Sequence, residues 1–415
     1  MRQLIKISES GGHTVTGSDI VLGGHNPENA EAAEFLVYTM AVSGDNCELI
    51  RARERGIPVM ERAEFLGRLS LNYQNIIAVS GSHGKTTATA MIAEIFRGKN
   101  PTVHIGGDYA GFKNPAGGAE FFITEACEYK KSFLHLRPSL AVVLNAELDH
   151  TDYYRGEADY FSAFRDFTAL SKSATVFGDD QRLFDLAVQN GYTTFGFLPR
   201  NAYTARNIVR TKTGRVFDIY EKGAFLFGAE LNLYGLHNVL NALAAVSAAR
   251  AYGLEPDEIA RAIARIDSVG RRFELLGTVN GARVYSDYAH HPGELNAMIS
   301  AARETGGDKL TVVFEPHTYS RTLSLYREFA LALSAADEAI VTPVYASREA
   351  PQPGVSSRLI FDELNRAGKA EASYCARYEE VFDKLKKTAG KNRIIVFAGA
   401  GTIDEMAREF VTMSG

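Results

Sequence analysis

Residues 81–87 read Gly-Ser-His-Gly-Lys-Thr-Thr, between an apolar run, IIAVS, and a helical pattern, TATAMIAEIF. Strand, glycine turn, Lys-Thr and helix is the order that a phosphate-binding loop needs. Gly81 and Gly84 let the backbone turn tightly, so that loop N–H groups, those of Ser82 and His83 among them, can face phosphate oxygens. The helix N-terminus adds its dipole. Lys85 can reach terminal phosphates, and as a loop lysine it is expected to be solvated in the free protein. The Thr86 hydroxyl, with Thr87 beside it, can take a divalent cation. Val79 stands where GxxxxGK(S/T) has its first glycine, so the match rests on the strand before and the helix after.

Two other apolar runs end in polar groups. FFITEACE places Glu125 and Glu128 after one run; AVVLNAELDH places Asn145, Glu147, Asp149 and His150 after another. In a parallel sheet the carboxyl ends of the strands share one edge with the phosphate loop. Glu125 and His150 are therefore candidates to hold a phosphate-bound cation. Cys127 reads as a small packed residue. In YGLHNVLNALAA, His237, Asn238 and Asn241 suit a nucleobase edge, with helix capping by Asn238 as the plainer alternative. SDYAHHPGE and FEPHTYSRT follow two further apolar runs, and Asp287, His290, His317 and Arg321 could bind an anionic substrate or a ribose. Arg272, in the RRF run 271–273, could serve a phosphate.

These groups need a scaffold that brings strand ends together. Short β-branched runs alternate with longer helical patterns, the signature of βαβ units on mostly parallel sheets. The runs 13–19, 35–42 and 57–60 read as strands of a small first unit. Residues 75–81, 120–126, 139–147, 174–178 and 193–197 read as strands of a second. Residues 210–232 read as antiparallel hairpins, and Asn238 to Ala251 as an alanine-rich helix. Residues 283–289, 310–316, 338–344 and 393–401 supply strands of a third unit. The joints fall near residue 70 and near 267–270.

Composition excludes more than it names. The chain has 415 residues, 46% hydrophobic and 23% charged, as soluble globular proteins do. Its net charge is -5, without a long basic run, which disfavours nucleic acid as a partner. No apolar run approaches the roughly 18 to 20 residues that span a bilayer. MRQLIKISES has no apolar signal region, and three scattered cysteines fit a reducing compartment. The expectation is a cytoplasmic protein without a membrane partner.

The order GSHGKTT, EACE, NAELDH, LHNVLNALAA, RRFE, DYAHHP, EPHTYSRT and AGAGTI resembles the Mur ligase family, over residues 11 to 404. DYAHHP with PHTYSRT resembles the alanine-adding branch or its murein-peptide-ligase relatives. The resemblance implies an α/β protein of three domains. These are a Rossmann-like UDP-sugar domain over 1–70, a central P-loop ATPase domain over 71–268 and a Rossmann-like C-terminal domain over 269–415. It implies ATP-dependent C–N bond formation between the lactyl carboxylate of UDP-N-acetylmuramate and L-alanine, through an acyl phosphate, in a monomer or weak dimer. By motif, Lys85 would hold the β- and γ-phosphates, and Thr86 and Glu125 one Mg²⁺ or Mn²⁺. His150 would hold a second metal ion. Asn238 and Asn241 would contact adenine, and Asp287 the ribose. Tyr288, His290, His317 and Arg321 would face the muramate and the amino acid.

The sequence departs from the family pattern at its start. The first strand and the glycine loop G-x-G-G-x-G-M do not precede GGHTVTGSD, and a strand-helix segment after GSDI is skipped. Residues 1–10 have no glycine and read as helix, with Leu4 and Ile7 at helical spacing. Weakened UDP-sugar binding and a rearranged first domain are the expectations. Thr318 stands where many relatives have arginine. Addition of a preformed peptide, or nucleotide binding without ligation, are the competing readings.

Overall fold

The run NIIAVS buries every side chain after Asn75, which suits a strand covered on both faces. In the computed structural model it is the centre of a parallel sheet. The structure describes residues 1–19, 23–106, 115–151, 153–266, 270–347 and 349–414. The chain groups into two units, one formed by 1–106, 111–202 and 244–254, the other mainly by 203–243 and 255–415.

In the first unit, α1 (Arg2–Ser10) is followed by β1 (Leu36–Tyr38), α2 (Cys47–Glu54), β2 (Val59–Glu61) and α3 (Arg62–Ser70). The parallel pair β1–β2 is the small sheet read from 35–42 and 57–60. The run 13–19 is not the expected strand: the described residues carry only an isolated bridge, Asp19 to Gly24. Its residues are mostly exposed, and the Ser18 hydroxyl donates to Glu48 at 2.7 Å. The helix read over residues 1–10 is present. Leu4 and Ile7 are 2% exposed and join the core of Phe133, Tyr160, Phe164 and Phe167.

The larger sheet of this unit uses β3 (Asn75–Ser80), β4 (Thr102–His104), β5 (Phe121–Glu125), β6 (Leu140–Val143), β7 (Ser173–Phe177) and β8 (Thr193–Gly196). They run parallel in the order β8-β7-β6-β3-β5-β4. Helices α4 (Lys85–Ile95), α5 (Glu157–Ala169) and α6 (Gln181–Asn190) connect them. The chain leaves β3 toward β5 and β4, then returns to β6 on the other side. The order reverses there, which opens the crevice where such sheets bind ligands.

The second unit opens with the antiparallel strands β9 (Tyr203–Arg210), β10 (Arg215–Glu221) and β11 (Ala224–Leu231); the hairpin expected over 210–232 is β10–β11, and β9 precedes it. Helix α7 (Leu236–Ala251) begins here, and α8 (Pro256–Ala264) follows. The second sheet comprises β12 (Glu274–Val279), β13 (Ala282–Asp287), β14 (Lys309–Phe314), β15 (Glu338–Val341), β16 (Glu371–Tyr374) and β17 (Arg393–Ala398). Its order is β12-β13-β17-β14-β15-β16, parallel except for β12. Alternation along the strands buries both faces. Val312 and Val396 face one core, Val313 and Ile395 the other. Helices α9 (Pro292–Glu304), α10 (Tyr319–Leu333), α11 (Arg358–Ala367), α12 (Tyr378–Thr388) and α13 (Ile403–Ser414) cover them. Residues 203–243 group with this sheet, and the expected joint at 268/269 lies outside the described residues.

Candidate functional site

Register aligns the strand ends of the first unit: Val79 pairs with Glu125 and with Val142, and Ser80 with Val143. The turns after β3, β5 and β6 therefore leave the sheet side by side. The turn after β3 is Gly81 to Gly84. Gly81 and Gly84 have φ of 149° and 84°, which other residues adopt only with strain. A Cβ at Gly81 would also meet the Leu144 Cβ at 3.0 Å.

Side chains from the neighbouring turn set the loop. Asn145 Oδ1 accepts the His83 N–H at 3.0 Å, and Asn145 Nδ2 donates to the His83 carbonyl at 3.1 Å. The Ser82 hydroxyl donates to the Glu147 carbonyl at 2.5 Å and lies 2.8 Å from the Tyr160 hydroxyl. The His83 N–H is thus committed to Asn145. The first i→i−4 bond of α4 runs from the Ala88 N–H to the Gly84 carbonyl at 2.9 Å, so the N–H groups of Lys85 to Thr87 precede the helical ladder.

Lys85 is not the solvated loop lysine the sequence predicts. Its ammonium donates to the carbonyls of Gly81 and Ser82 and lies 3.0 Å from the Glu128 carboxylate. Glu128 is 1% exposed, and the His150 Nε2 stands 3.4 Å from its other oxygen. Burial alone would push the Glu128 carboxyl up, but Lys85 and His150 outweigh it and hold it below the usual range. Burial would likewise lower Lys85, and the charge of Glu128 holds it above its ordinary value. The carboxylate that meets Lys85 is therefore Glu128. Glu125 turns instead to the end of β4, where it accepts the Gly106 N–H at 2.7 Å. His150, at φ 53°, stacks near Tyr129 with ring centroids 4.6 Å apart. Thr86 and Thr87 lie buried in the first turn of α4. Cys127 is half-buried, and loss of solvent pushes its thiol up to about 11, which keeps it protonated.

In the second unit the register Asp287–Ala398–Phe314–Val341 likewise levels four strand ends. The structure brings Tyr288, His290, His317 and Arg321 together on that edge. The Tyr288 and His290 rings lie 5.2 Å apart, and those of His290 and His317 5.7 Å. Arg321 reaches His317 Nδ1 at 3.3 Å. His290 also lies 3.2 Å from the Glu294 carboxylate. Sequence reading missed Tyr345, whose ring stacks on His317 at 5.8 Å, and Glu315, which accepts the N–H groups of Thr402 and Ile403 at 3.0 and 2.9 Å. The signal for Glu315 was present: it stands directly before PHTYSR. Arg272 lies 5.0 Å above the Tyr288 ring.

Asn238 is not the helix cap of the plainer alternative. Helix α7 begins at Leu236, and Asn238 Nδ2 donates back to the Tyr234 carbonyl at 2.8 Å. Asn241 donates to Asn238 Oδ1 at 3.1 Å, so the two amides form one unit. His237 is exposed on the first turn of α7 and lies beside Gly235, where a Cβ would meet its ring.

Comparison with known proteins agrees over the whole chain. Three family profiles match: "Mur ligase family, catalytic domain" over residues 1–74, "Mur ligase middle domain" over 79–249 and "Mur ligase, glutamate ligase domain" over 271–401. The UDP-N-acetylmuramate–L-alanine ligase of Acetivibrio thermocellus is 36% identical over 437 residues, 99% of this chain and 93% of that one. The structure of the UDP-N-acetylmuramate–alanine ligase of Thermotoga maritima superposes with a TM-score of 0.84 at 28% identity, covering 100% of this chain and 96% of that one. A murein peptide ligase of Psychrobacter arcticus shares the fold, with a TM-score of 0.72 at 21% identity, over 100% of this chain and 96% of that one.

Proposed function

The chain belongs to the Mur ligase family, and from that premise we propose that it joins L-alanine to the lactyl carboxylate of UDP-N-acetylmuramate with ATP as co-substrate. The observation that carries the reading is the edge at β3. There a preset glycine turn, an open helix N-terminus and Lys85 paired to a buried carboxylate stand together. Relatives named for alanine addition support the choice of substrates.

ATP would lie along this edge. Lys85 would exchange the Gly81 and Ser82 carbonyls for phosphate oxygens, and the first-turn N–H groups of α4 would donate to the same phosphates. Among the described residues no group of three His, Cys, Asp or Glu forms a metal cage. The donors do fit a hard divalent cation that brings phosphate and water ligands with it. Glu128 and His150 stand 3.4 Å apart beside the Thr86 turn. We assign Glu128 the place that the sequence reading gave to Glu125. Bound Mg²⁺ or Mn²⁺ would neutralise triphosphate charge as the anionic carboxylate approaches.

The lactyl carboxylate then attacks the γ-phosphorus and ADP leaves. The amine of L-alanine attacks the acyl carbon, and phosphate leaves. The chain's contribution is orientation and charge balance. Arg321, with His317, His290 and Tyr288, would hold the acid and the amine. Asn238 and Asn241 would present one joined amide unit to adenine. His237, exposed on the same turn of α7, would lie beside them.

Product analysis tests the reading. ATP, UDP-N-acetylmuramate and L-alanine should give ADP, phosphate and the alanyl product. Product only with a preformed peptide would replace the substrate; ATP binding without product in either case would overturn ligation.

A further inference from the structure

Helix α10 carries Arg321, and its start stands apart from its body. Leu325 leaves helical geometry, at φ -127° and ψ 15°, so residues 319–324 form a short segment ahead of a kink. The residue at the cap position does not close that segment. Thr318 sits at a left-handed φ of 69°, and its side chain makes no capping bond. Non-glycine residues hold such angles only where the surroundings over-determine them. From inside, the fully buried Thr322 donates its hydroxyl to the Thr318 carbonyl at 2.7 Å. From the loop after β15, the Tyr345 carbonyl accepts the Thr318 N–H at 2.9 Å, and the Tyr345 N–H donates to the Pro316 carbonyl at 2.8 Å.

The cap comes from that same loop. Glu349 Oε2 accepts the Ser320 N–H at 2.8 Å, its other oxygen accepts from the Ser320 hydroxyl, and the Tyr319 N–H also reaches the carboxylate. Burial would push the Glu349 carboxyl up, but these donors outweigh it and hold it below the usual range. The first N–H groups of a helix need acceptors, and a carboxylate there also meets the positive end of the dipole. Thr322 and the Tyr345 main chain hold the turn as far as Thr318; Glu349 holds residues 319 and 320, directly before Arg321. We propose that Glu349 is a positioning residue of the second edge: by capping α10 from the neighbouring loop, it fixes Arg321 and the Tyr345 ring against His317 as one surface for the acid and the amine. The proposal rests on the ligase reading above.

Paired substitutions separate positioning from contact. Glu349→Ala removes both bonds to Ser320. Glu349→Gln keeps an acceptor for the Ser320 N–H and offers a donor to the Ser320 hydroxyl, but removes the charge. Ligation by the full chain is measured against L-alanine and against ATP. Glu349→Ala should lower kcat/KM for L-alanine by at least about tenfold and move the KM for ATP by less than about threefold. The ATP side is spared because Lys85 and the Asn238–Asn241 pair have other partners. Glu349→Gln should restore kcat/KM for L-alanine to within about threefold of the unsubstituted protein. Equal losses in the two variants would show the charge itself meeting a substrate. Unchanged kcat/KM in Glu349→Ala would leave a cap that serves stability only. Either result overturns the proposal. Should Glu349→Ala fail to fold, Glu349→Asp decides: it keeps the charge but draws it back from Ser320 by one methylene. It should lose more activity than Glu349→Gln, and an equal or reversed order overturns the proposal. Without alanine-dependent turnover in the unsubstituted protein both readings fall; turnover with the wrong order of variants sinks this one alone.

Discussion

Glu128 in the first unit and Asp287 in the second are both buried carboxylates at the carboxyl edge of a parallel sheet, and they are satisfied differently. Glu128 is matched by side chains, the Lys85 ammonium and the His150 imidazole. Asp287 is matched by main-chain amides, and burial pushes it up to about 6. An ion pair of movable side chains can be traded for an incoming phosphate. Amides fixed in a turn cannot. The first edge is thus built for exchange of partners, the second for holding a shape.

The strongest way to break this comparison is Lys85→Ala. ATP-dependent ligation should fall by at least about a thousandfold, measured as ADP release. Removing the cation also strands a buried carboxylate, so unfolding in urea should show a loss of about 3 kcal/mol. Adding Glu128→Gln should return much of that stability but none of the activity. A Lys85→Ala protein as stable as the parent would mean that the pair is not the anchor described above.

The next test sets Glu128 against Glu125. Glu128→Gln should raise the Mg²⁺ needed for half-maximal activity by at least about tenfold. Glu125→Gln should move it less, because that carboxylate serves Gly106. The opposite ranking would restore Glu125 as the ligand.

Gly401→Ala probes the rigidity of the second edge. A Cβ there would lie 2.5 Å from the Glu315 carboxylate and against the Tyr345 ring. We expect a loss of roughly 2 kcal/mol from overpacking, read by denaturant titration. A neutral substitution would show this edge to be softer than drawn.

The smallest effect near neutrality is electrostatic. The first unit buries an imidazole, and burial lowers His104 to about 3. The unfolded chain binds a proton there as pH falls below about 6.5, while the folded chain does not. Stability should therefore decline from about pH 6.5 downward, a few tenths of a kcal/mol by pH 6. His104→Asn should flatten this decline, measured by melting across pH.

How much of this was legible in the residues varied with range. The glycine loop and Lys85 are local, and the flanking strand and helix disclose them. The choice between Glu125 and Glu128 was not, because both follow one strand. The chain between them and α5 turns through Lys130 and Lys131 at φ of 50° and 59°, which no propensity announces. The strands β4, β9, β12 and β16 escaped notice. β4, β12 and β16 lie at sheet edges, and β4 and β16 are only 3 and 4 residues long. HTVTGSD has strand composition, but among the described residues it forms only the isolated bridge of Asp19 to Gly24. The grouping of 203–243 with the second sheet depends on contacts such as Arg215 to Glu304 at 2.5 Å, 89 residues apart. No sequence window spans that distance.

The Asn145 amide has a further consequence. It holds His83 by both peptide groups, as a neighbouring strand would, while Ser82 is held by the Glu147 carbonyl of the same turn. The conformational entropy of the phosphate cradle is therefore surrendered when the chain folds, not when nucleotide arrives. Encounter then needs only the swing of one ammonium group, so nucleotide capture should be fast, and its rate should depend on ionic strength more than on viscosity-coupled loop closure.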